Sequence, residues 1–415
     1  MLTSIAAVTT IPARAALHYY NKSRSFHSLS VVALLYSTLA GLSIACFRPV
    51  PFLNRGLPSV QEIPTSAVGV NKVAIVTGYV TMFACVCNLP GILLGALALI
   101  QPFLHCRSNT GIGYETAKSL AERGYEVVLA CRSAEKAHAA VKRMNDELPE
   151  GAPGKAVFVA TLDLSSFASV HDFSRIIHSK YGKIDLLVNN AGINSSGRTA
   201  EGLDLCFKTN FLSHFLLTKN LVDLLLKATR SRVVNLSSVM HHYCQADKHD
   251  QNYWRKNALY SSVSEETSYS ASKLAALLFS IELNNRYRQQ GLRSIAVNPG
   301  AVNSDIWRTY PRWLVAIFER IYLNNRQGSY TSVAASVIED LPEDVIYLQP
   351  YHQVSHVSVP WPPTEMLGSF VGWQATTPRL PRDGTNGALT ARVLWAVSEE
   401  LTVNGDSEHT TKKTD

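Results

Sequence analysis

From Lys72 onward the chain alternates short β-branched runs with stretches of helical spacing. Lys72 to Thr77 (KVAIVT), Glu126 to Cys131 (EVVLAC), Ala156 to Thr161, Ile184 to Asn189 (IDLLVN), Arg232 to Leu236 (RVVNL) and Ser294 to Asn298 (SIAVN) read as strands. Helical periodicity predicts helices over Gly111 to Gly124, Ala134 to Asn145, Phe167 to Tyr181, about Leu203 to Lys227, and Thr267 to Gln290, which Gly291 stops. Strands this apolar are buried on both faces, and strand–helix alternation closes into right-handed βαβ units. The fold class is therefore α/β, a doubly wound parallel sheet of about seven strands with helices on both faces, in a single domain over 70–401. The last strand is expected in LPEDVIYLQPYHQ, after Leu341. The Pro-rich VPWPPTEMLG reads as a loop, GALTARVLWAVSEEL as a closing helix, and the polar tail 402–415 as disordered.

The first strand–helix junction is split. Thr77 and Gly78 close the strand, but the helix opens with Gly111, Ile112 and Gly113, 33 positions after Gly78. Joined directly to Ser108, Asn109 and Thr110, Gly78 gives TGSNTGIG. Glycines at such a turn let the backbone approach a pyrophosphate, and the free N–H groups of the helix N-terminus hold its charge. The 29 residues between, 79–107, contain three cysteines, two prolines and no acid, and are uncharged from Val80 to Leu104. A single membrane span would separate its ends by a bilayer core of ~30 Å, whereas Gly78 and Gly111 must share one turn. Two readings stay open: an apolar excursion from the fold, and a retained intron. For the second, codons for Gly78-Tyr79-Val80 can contain GTATGT and those for Cys106-Arg107 can contain TGCAG, which resemble splice borders.

Residues 1–61 contain no Asp or Glu before Glu62 and carry Arg14, Lys22, Arg24, Arg48 and Arg55. Leu29 to Phe47 is a 19-residue uncharged run, long enough to cross a core of ~30 Å at ~1.5 Å per residue. It reads as a signal anchor of the endoplasmic-reticulum type, attaching the protein to a membrane through 29–47; an acid-poor organelle presequence is the alternative. Pro49, Pro51, Pro58 and Pro64 form a linker into the domain. The net charge of +7 comes partly from this region, and no basic–aromatic interleaving points to nucleic acid. Seven irregularly spaced cysteines make no disulfide framework, and the lone CxC of Cys85 and Cys87 lacks a second ligand pair, so no metal is expected.

The chemistry concentrates in YSASK. Tyr269 and Lys273 stand four apart and therefore share one helical face. Alone, such a pair is an ordinary solvated face. Here it follows the βαβ array, NNAG at Asn189 to Gly192, and a strand ending in Ser237 and Ser238. In that order the signals resemble the short-chain dehydrogenase/reductase family, over roughly Asn71 to Gly300. The wording SNTGIGYETA, ACRS, NNAG, TNFLSHF, VNLSS, YSASKLA and NPGAV is most similar to its retinol-dehydrogenase-like and WW-domain-oxidoreductase-like branch.

The resemblance implies a Rossmann-type fold and hydride transfer with a nicotinamide cofactor. It makes Tyr269 the general acid/base and Lys273 the residue that lowers its pKa and binds the nicotinamide ribose. Ser238 bonds the substrate oxygen, and Asn210 holds a helix kink and a relay water. A phenol of pKa ~10 needs a neighbouring cation to act near neutrality. The same resemblance puts the cofactor against Gly78, Ser108, Asn109, Thr110, Gly111, Ile112 and Gly113, with Asp163 and Leu164 at the adenine. Asn189, Asn190, Ala191 and Gly192 lie along the adenine ribose side, and Pro299, Gly300 and Val302 at the nicotinamide amide. Asp163 is equally readable as the N-cap of the following helix. After the second strand stand Cys131 and Arg132 where an acid would mark NAD. Arg suits a 2′-phosphate, which favours NADP(H) over NAD(H); a surface Arg132 is the plain reading.

For the substrate, Met240 to Glu266, with His241, His242, Tyr243, Tyr253 and Trp254, is expected to line or cover the pocket. Ile306, Trp307, Trp313, Leu314, Ile317, Phe318 and Ile321 form an amphipathic helix. The resemblance makes this place the substrate lid, and its apolar character fits a lipophilic alcohol or carbonyl; the stripe alone reads equally as core, a dimer contact or a membrane contact. The family resemblance also allows a homodimer. Because 79–107 displaces Gly78 from its partners, a protein lacking 79–107 should bind NADP(H) more tightly than the full chain; equal affinity by titration calorimetry would refute this.

Overall fold

The computed structural model describes residues 72–78, 111–195, 197–244, 251–259, 268–300, 302, 323–339, 341–353, 369–375, 378, 380–381 and 383–411. The N-terminal segment with 29–47, the stretch 79–107, Ser108, Asn109 and Thr110, and the amphipathic helix expected around 306–321 lie outside the described residues.

Eight strands form one sheet: β1 (Val73–Thr77), β2 (Glu126–Ala130), β3 (Lys155–Val157), β4 (Leu186–Asn189), β5 (Ser231–Leu236), β6 (Leu292–Val297), β7 (Tyr347–Gln353) and β8 (Ser369–Ala375). Their order is β3-β2-β1-β4-β5-β6-β7-β8, with every pair parallel except β7–β8. The chain leaves β1 toward β2 and β3, then returns to β4 on the other side. The C-terminal ends of β1 and β4 are thus the switch point, where connections diverge and leave a crevice.

The helices are α1 (Ile112–Glu122), α2 (Ala134–Glu147), α3 (Phe167–Lys180), α4 (Leu205–Phe207), α5 (Ser213–Leu226), α6 (Gln251–Leu259), α7 (Ser268–Tyr287), α8 (Asn325–Val337) and α9 (Ala388–Thr411). Alternation along β1 explains two separate cores. Ile75 faces one, with Phe167, Phe211, Phe215, Trp254 and Trp395; Ala74 and Val76 face the other, with Ala117, Leu120, Val297 and Tyr330. α7 is buried from Ser270 to Leu283, so Lys273 does not stand on a solvated face, and Tyr269 just before that run is half-buried.

Three elements depart from the expectation. α8 (NRQGSYTSVAASV) carries few large apolar residues, yet it is buried from Gly328 to Val337. Its hydroxyls are satisfied internally or by a neighbour: Ser336 Oγ donates to Ser332 O and Thr331 Oγ1 to Asn298 O. β8 adds an antiparallel edge beyond the parallel array, and α6 places Trp254 fully in the core beside Phe207. Trp254 therefore packs the fold and does not line a pocket. The polar tail also differs. α9 continues to Thr411, and Thr402, expected to be disordered, is buried with its hydroxyl donating to Ser398 O at 2.8 Å.

Asp383 secures the start of α9. Its Oδ1 accepts from Thr385 N, Thr385 Oγ1 and Gly387 N, and its Oδ2 from Thr390 N and Thr390 Oγ1. Burial works to raise this carboxyl, but these bonds, led by the Thr390 and Thr385 amides, outweigh it and hold it well below the usual range. A folded-state pKa below the unfolded one gives stability that is present above ~3.9 and lost as pH falls through the folded value. Asp383→Ala should lower unfolding free energy by about 1–2 kcal/mol at neutral pH. In chemical denaturation the gap from the wild type should shrink below about pH 4.

Candidate active site

Two bonds fasten the end of β5 to α7. Lys273 Nζ donates to Leu236 O at 3.0 Å, and Ser237 Oγ donates to Lys273 O at 2.8 Å. Ser238, next in the chain, caps the 3-10 turn Val239–Tyr243 and hydrogen-bonds the Tyr269 phenol. The Lys273 ammonium lies 5.4 Å from the Tyr269 ring centroid. Three of the four predicted catalytic side chains are therefore in one place.

The fourth, Asn210, arrives on a π-helical turn, Lys208–Leu212, between α4 and α5. Such a widened turn is rare and accumulates at functional sites. Asn210 Oδ1 accepts from Ile193 N at 2.7 Å, while Nδ2 donates to Ile193 O at 2.8 Å and to Ser272 Oγ at 3.1 Å. Ser272 Oγ in turn donates to Tyr269 O. Asn210 thus joins the NNAG loop to the first turn of α7. Gly192 borders both groups: a Cβ there would lie in ordinary contact with Lys273 Nζ at 3.4 Å and Asn210 Oδ1 at 3.5 Å.

Burial dominates the ionisation of both central groups. It pushes the Tyr269 phenol up to about 12, with the neighbouring Cys206 thiol adding to the rise and the Ser238 hydrogen bond opposing it. Lys273 is pulled down to about 8. Both charged forms are disfavoured away from water.

Several of the positions expected to face a cofactor lie about the switch point. Gly111 is the N-cap of α1 at φ 141°, no side chain caps the helix, and a Cβ at Gly111 would meet nothing within 4 Å. Among the described residues nothing caps these N–H groups, and an uncapped helix N-terminus fits an anionic diphosphate. Gly113 packs on Asn190, whose Nδ2 donates to Thr77 O at 2.9 Å. Gly78 N donates to Ala130 O, beside Cys131. Arg132 is exposed just beyond β2. Val302 and Ile112 both press against Gly328 of α8, and Gly300 adopts φ 81° against Pro350. Gly328 was not foreseen, because a glycine inside an unrecognised helix gives no signal in the sequence.

Two expectations change here. Asp163 Oδ1 accepts from Ser165 N and Ser165 Oγ, while the N-cap of α3 is Ser166, so Asp163 is not that cap. Asn189 turns into the sheet, donating to Thr218 Oγ1 and Asn235 Oδ1, away from the crevice that Asn190 and Ala191 border. Two further residues were unforeseen: Cys206, whose Sγ donates to Ile193 O, and His214, between Thr77 and Asn210.

A family model described as short chain dehydrogenase matches residues 108–248. The chain is 36% identical over 238 residues to Retinol dehydrogenase 11 of Mus musculus, covering 56% of this chain and 72% of that protein. It is 34% identical over 252 residues to Retinol dehydrogenase 13 of Homo sapiens, covering 59% and 71%. With the WW domain-containing oxidoreductase of Drosophila melanogaster it shares 35% over 249 residues, covering 56% and 58%. The crystal structure of an uncharacterized protein from Mycobacterium paratuberculosis superposes with TM-score 0.53 and 27% identity, over 83% of this chain and 97% of that one.

A Cβ at Gly113 would lie 2.4 Å from Asn190 Nδ2. Gly113→Ala should therefore displace Asn190 from Thr77 O and destabilise the fold by about 1–3 kcal/mol, read as a lower midpoint in thermal unfolding.

Proposed function

The chain belongs to the short-chain dehydrogenase family, on its retinol-dehydrogenase-like branch, and from that premise we propose that it interconverts a lipophilic alcohol and its aldehyde or ketone with NADP(H). It is an oxidoreductase of CH–OH groups. The observation that carries the finer reading is the joining of Tyr269, Ser238, Lys273 and Asn210 by bonds that run through Leu236, Ile193 and Ser272.

When bound, the nicotinamide supplies or accepts the hydride. The Gly111 end of α1, with Gly78, Ile112 and Gly113, would hold its diphosphate, and Arg132 the 2′-phosphate. Asp163 and Leu164 would meet the adenine, Asn190, Ala191 and Gly192 the adenine ribose side, and Pro299, Gly300 and Val302 the amide. In carbonyl reduction Ser238 donates to the substrate oxygen and Tyr269 passes its proton to that oxygen; in oxidation the proton returns. Lys273, held by Leu236 O, keeps a positive group beside the phenol and would bind the nicotinamide ribose. Asn210 keeps the NNAG loop and α7 in register. Attachment to a membrane through 29–47 and a homodimeric state belong to the same reading.

A second reading rests on the 29 residues that separate Gly78 from Ser108: a catalytically impaired protein on the same scaffold, acting by binding. Turnover separates the two. NADPH oxidation with a panel of aldehydes and ketones should be measurable for the full chain. Tyr269→Phe should lower kcat by about 10²–10⁴-fold while NADPH affinity changes little. No turnover with any substrate would favour the second reading.

A further inference from the structure

His214 is fully buried in the body of α5, and the catalytic set above makes no use of it. Its Nε2 lies 3.0 Å from Thr77 Oγ1, and its Nδ1 lies 3.0 Å from Asn210 O. The ring therefore spans from the last residue of β1 to the π-helical turn that carries Asn210.

The bonding capacity of each atom decides the protonation state of the ring. A backbone carbonyl only accepts, so Nδ1 must carry a proton to bond Asn210 O. Thr77 Oγ1 accepts from Asn190 N at 3.0 Å and from Ala191 N at 3.1 Å, which uses both of its lone pairs. Its single proton has two acceptors in reach, Val188 O at 3.3 Å and His214 Nε2 at 3.0 Å. A protonated Nε2 would press a third donor on a filled oxygen. An imidazolium is excluded for the same reason, and Lys273 adds like-charge repulsion.

We propose that His214 is a positioning residue: a neutral imidazole, protonated on Nδ1, that accepts the Thr77 hydroxyl and holds the Asn210 carbonyl, clamping the catalytic turn to the cofactor end of β1. The clamp makes one chain of contacts from the NNAG amides through Thr77 and His214 to Asn210. It rests on the reading that Asn210 belongs to the catalytic set.

The test uses the full chain labelled with 15N at histidine, with the His214 signals assigned by their loss in His214→Asn. The expected spectrum has a pyrrole-type Nδ1 and a pyridine-type Nε2 that stay unchanged from about pH 5 to 8. A proton on Nε2, or a ring that titrates near the ordinary ~6.5, would overturn the proposal. Kinetically, His214→Leu removes both bonds and should lower kcat about tenfold at little cost to KM. His214→Asn, whose amide can still donate to Asn210 O, should recover most of that loss; His214→Gln, which reaches only toward Thr77, should not. Equal losses in all three variants, or a loss in KM alone, would reject the positioning role. If the wild type turns over no substrate, the proposed activity fails, while the ring spectra still accept or reject the clamp.

Discussion

A central parallel strand covered on both faces cannot rely on water to satisfy the polar groups at its end. In this chain that constraint falls on Thr77. Its backbone and hydroxyl lie in the dry interior at the switch point, and its bonds reach the NNAG loop, β4 and α5. The cofactor-facing elements are located by the requirement that each of these groups find a partner. Asn190 is held by Thr77 O and touches Gly113, so the same requirement sets the distance between α1 and β4.

The same dryness governs the reacting groups. Tyr269 raised to about 12 and Lys273 lowered to about 8 are both displaced toward their neutral forms. A site in this condition keeps a proton on the phenol, which suits donation to a carbonyl oxygen. Charge on either group is stabilised by opposite charge or hydrogen bonds placed beside it.

Most of this architecture was legible because parallel strands and their helices are written in large apolar residues at fixed periods. β1, β2, β4, β5 and β6 lie within a residue or two of where alternation put them, and YSASK stands at the start of α7 as read. What was not legible depends on small or satisfied polar groups. α8 is helical and buried on the strength of Ser, Thr, Ala and Gly packing closely, a pattern that periodicity of large residues does not register. β8 contains Gly372 and follows a Pro-rich stretch, so its short run was masked by turn signals. His214 looked like one more residue of TNFLSHF, since nothing in a linear sequence tells which atoms its ring will meet. The phenol shift had the same cause: spacing places Lys273 beside Tyr269 but says nothing of how much water either loses.

The split between Gly78 and Gly111 bears differently on folding and on function. Lengthening a connection from the three residues 108–110 to the thirty-two of 79–110 adds only about 2 kcal/mol of closure entropy. β1 and α1 can therefore pack as they do, with Ile75 and Val76 in the two cores and Leu120 against the sheet. A phosphate site is less tolerant, because it needs several N–H groups aimed within a few tenths of an ångström at one anion. On the proposed reading, Gly111 and the N-terminus of α1 supply part of that set. An insertion at this position is therefore better tolerated by the fold than by the proposed diphosphate site, and the contacts around Asn210 and Thr77 do not protect against it.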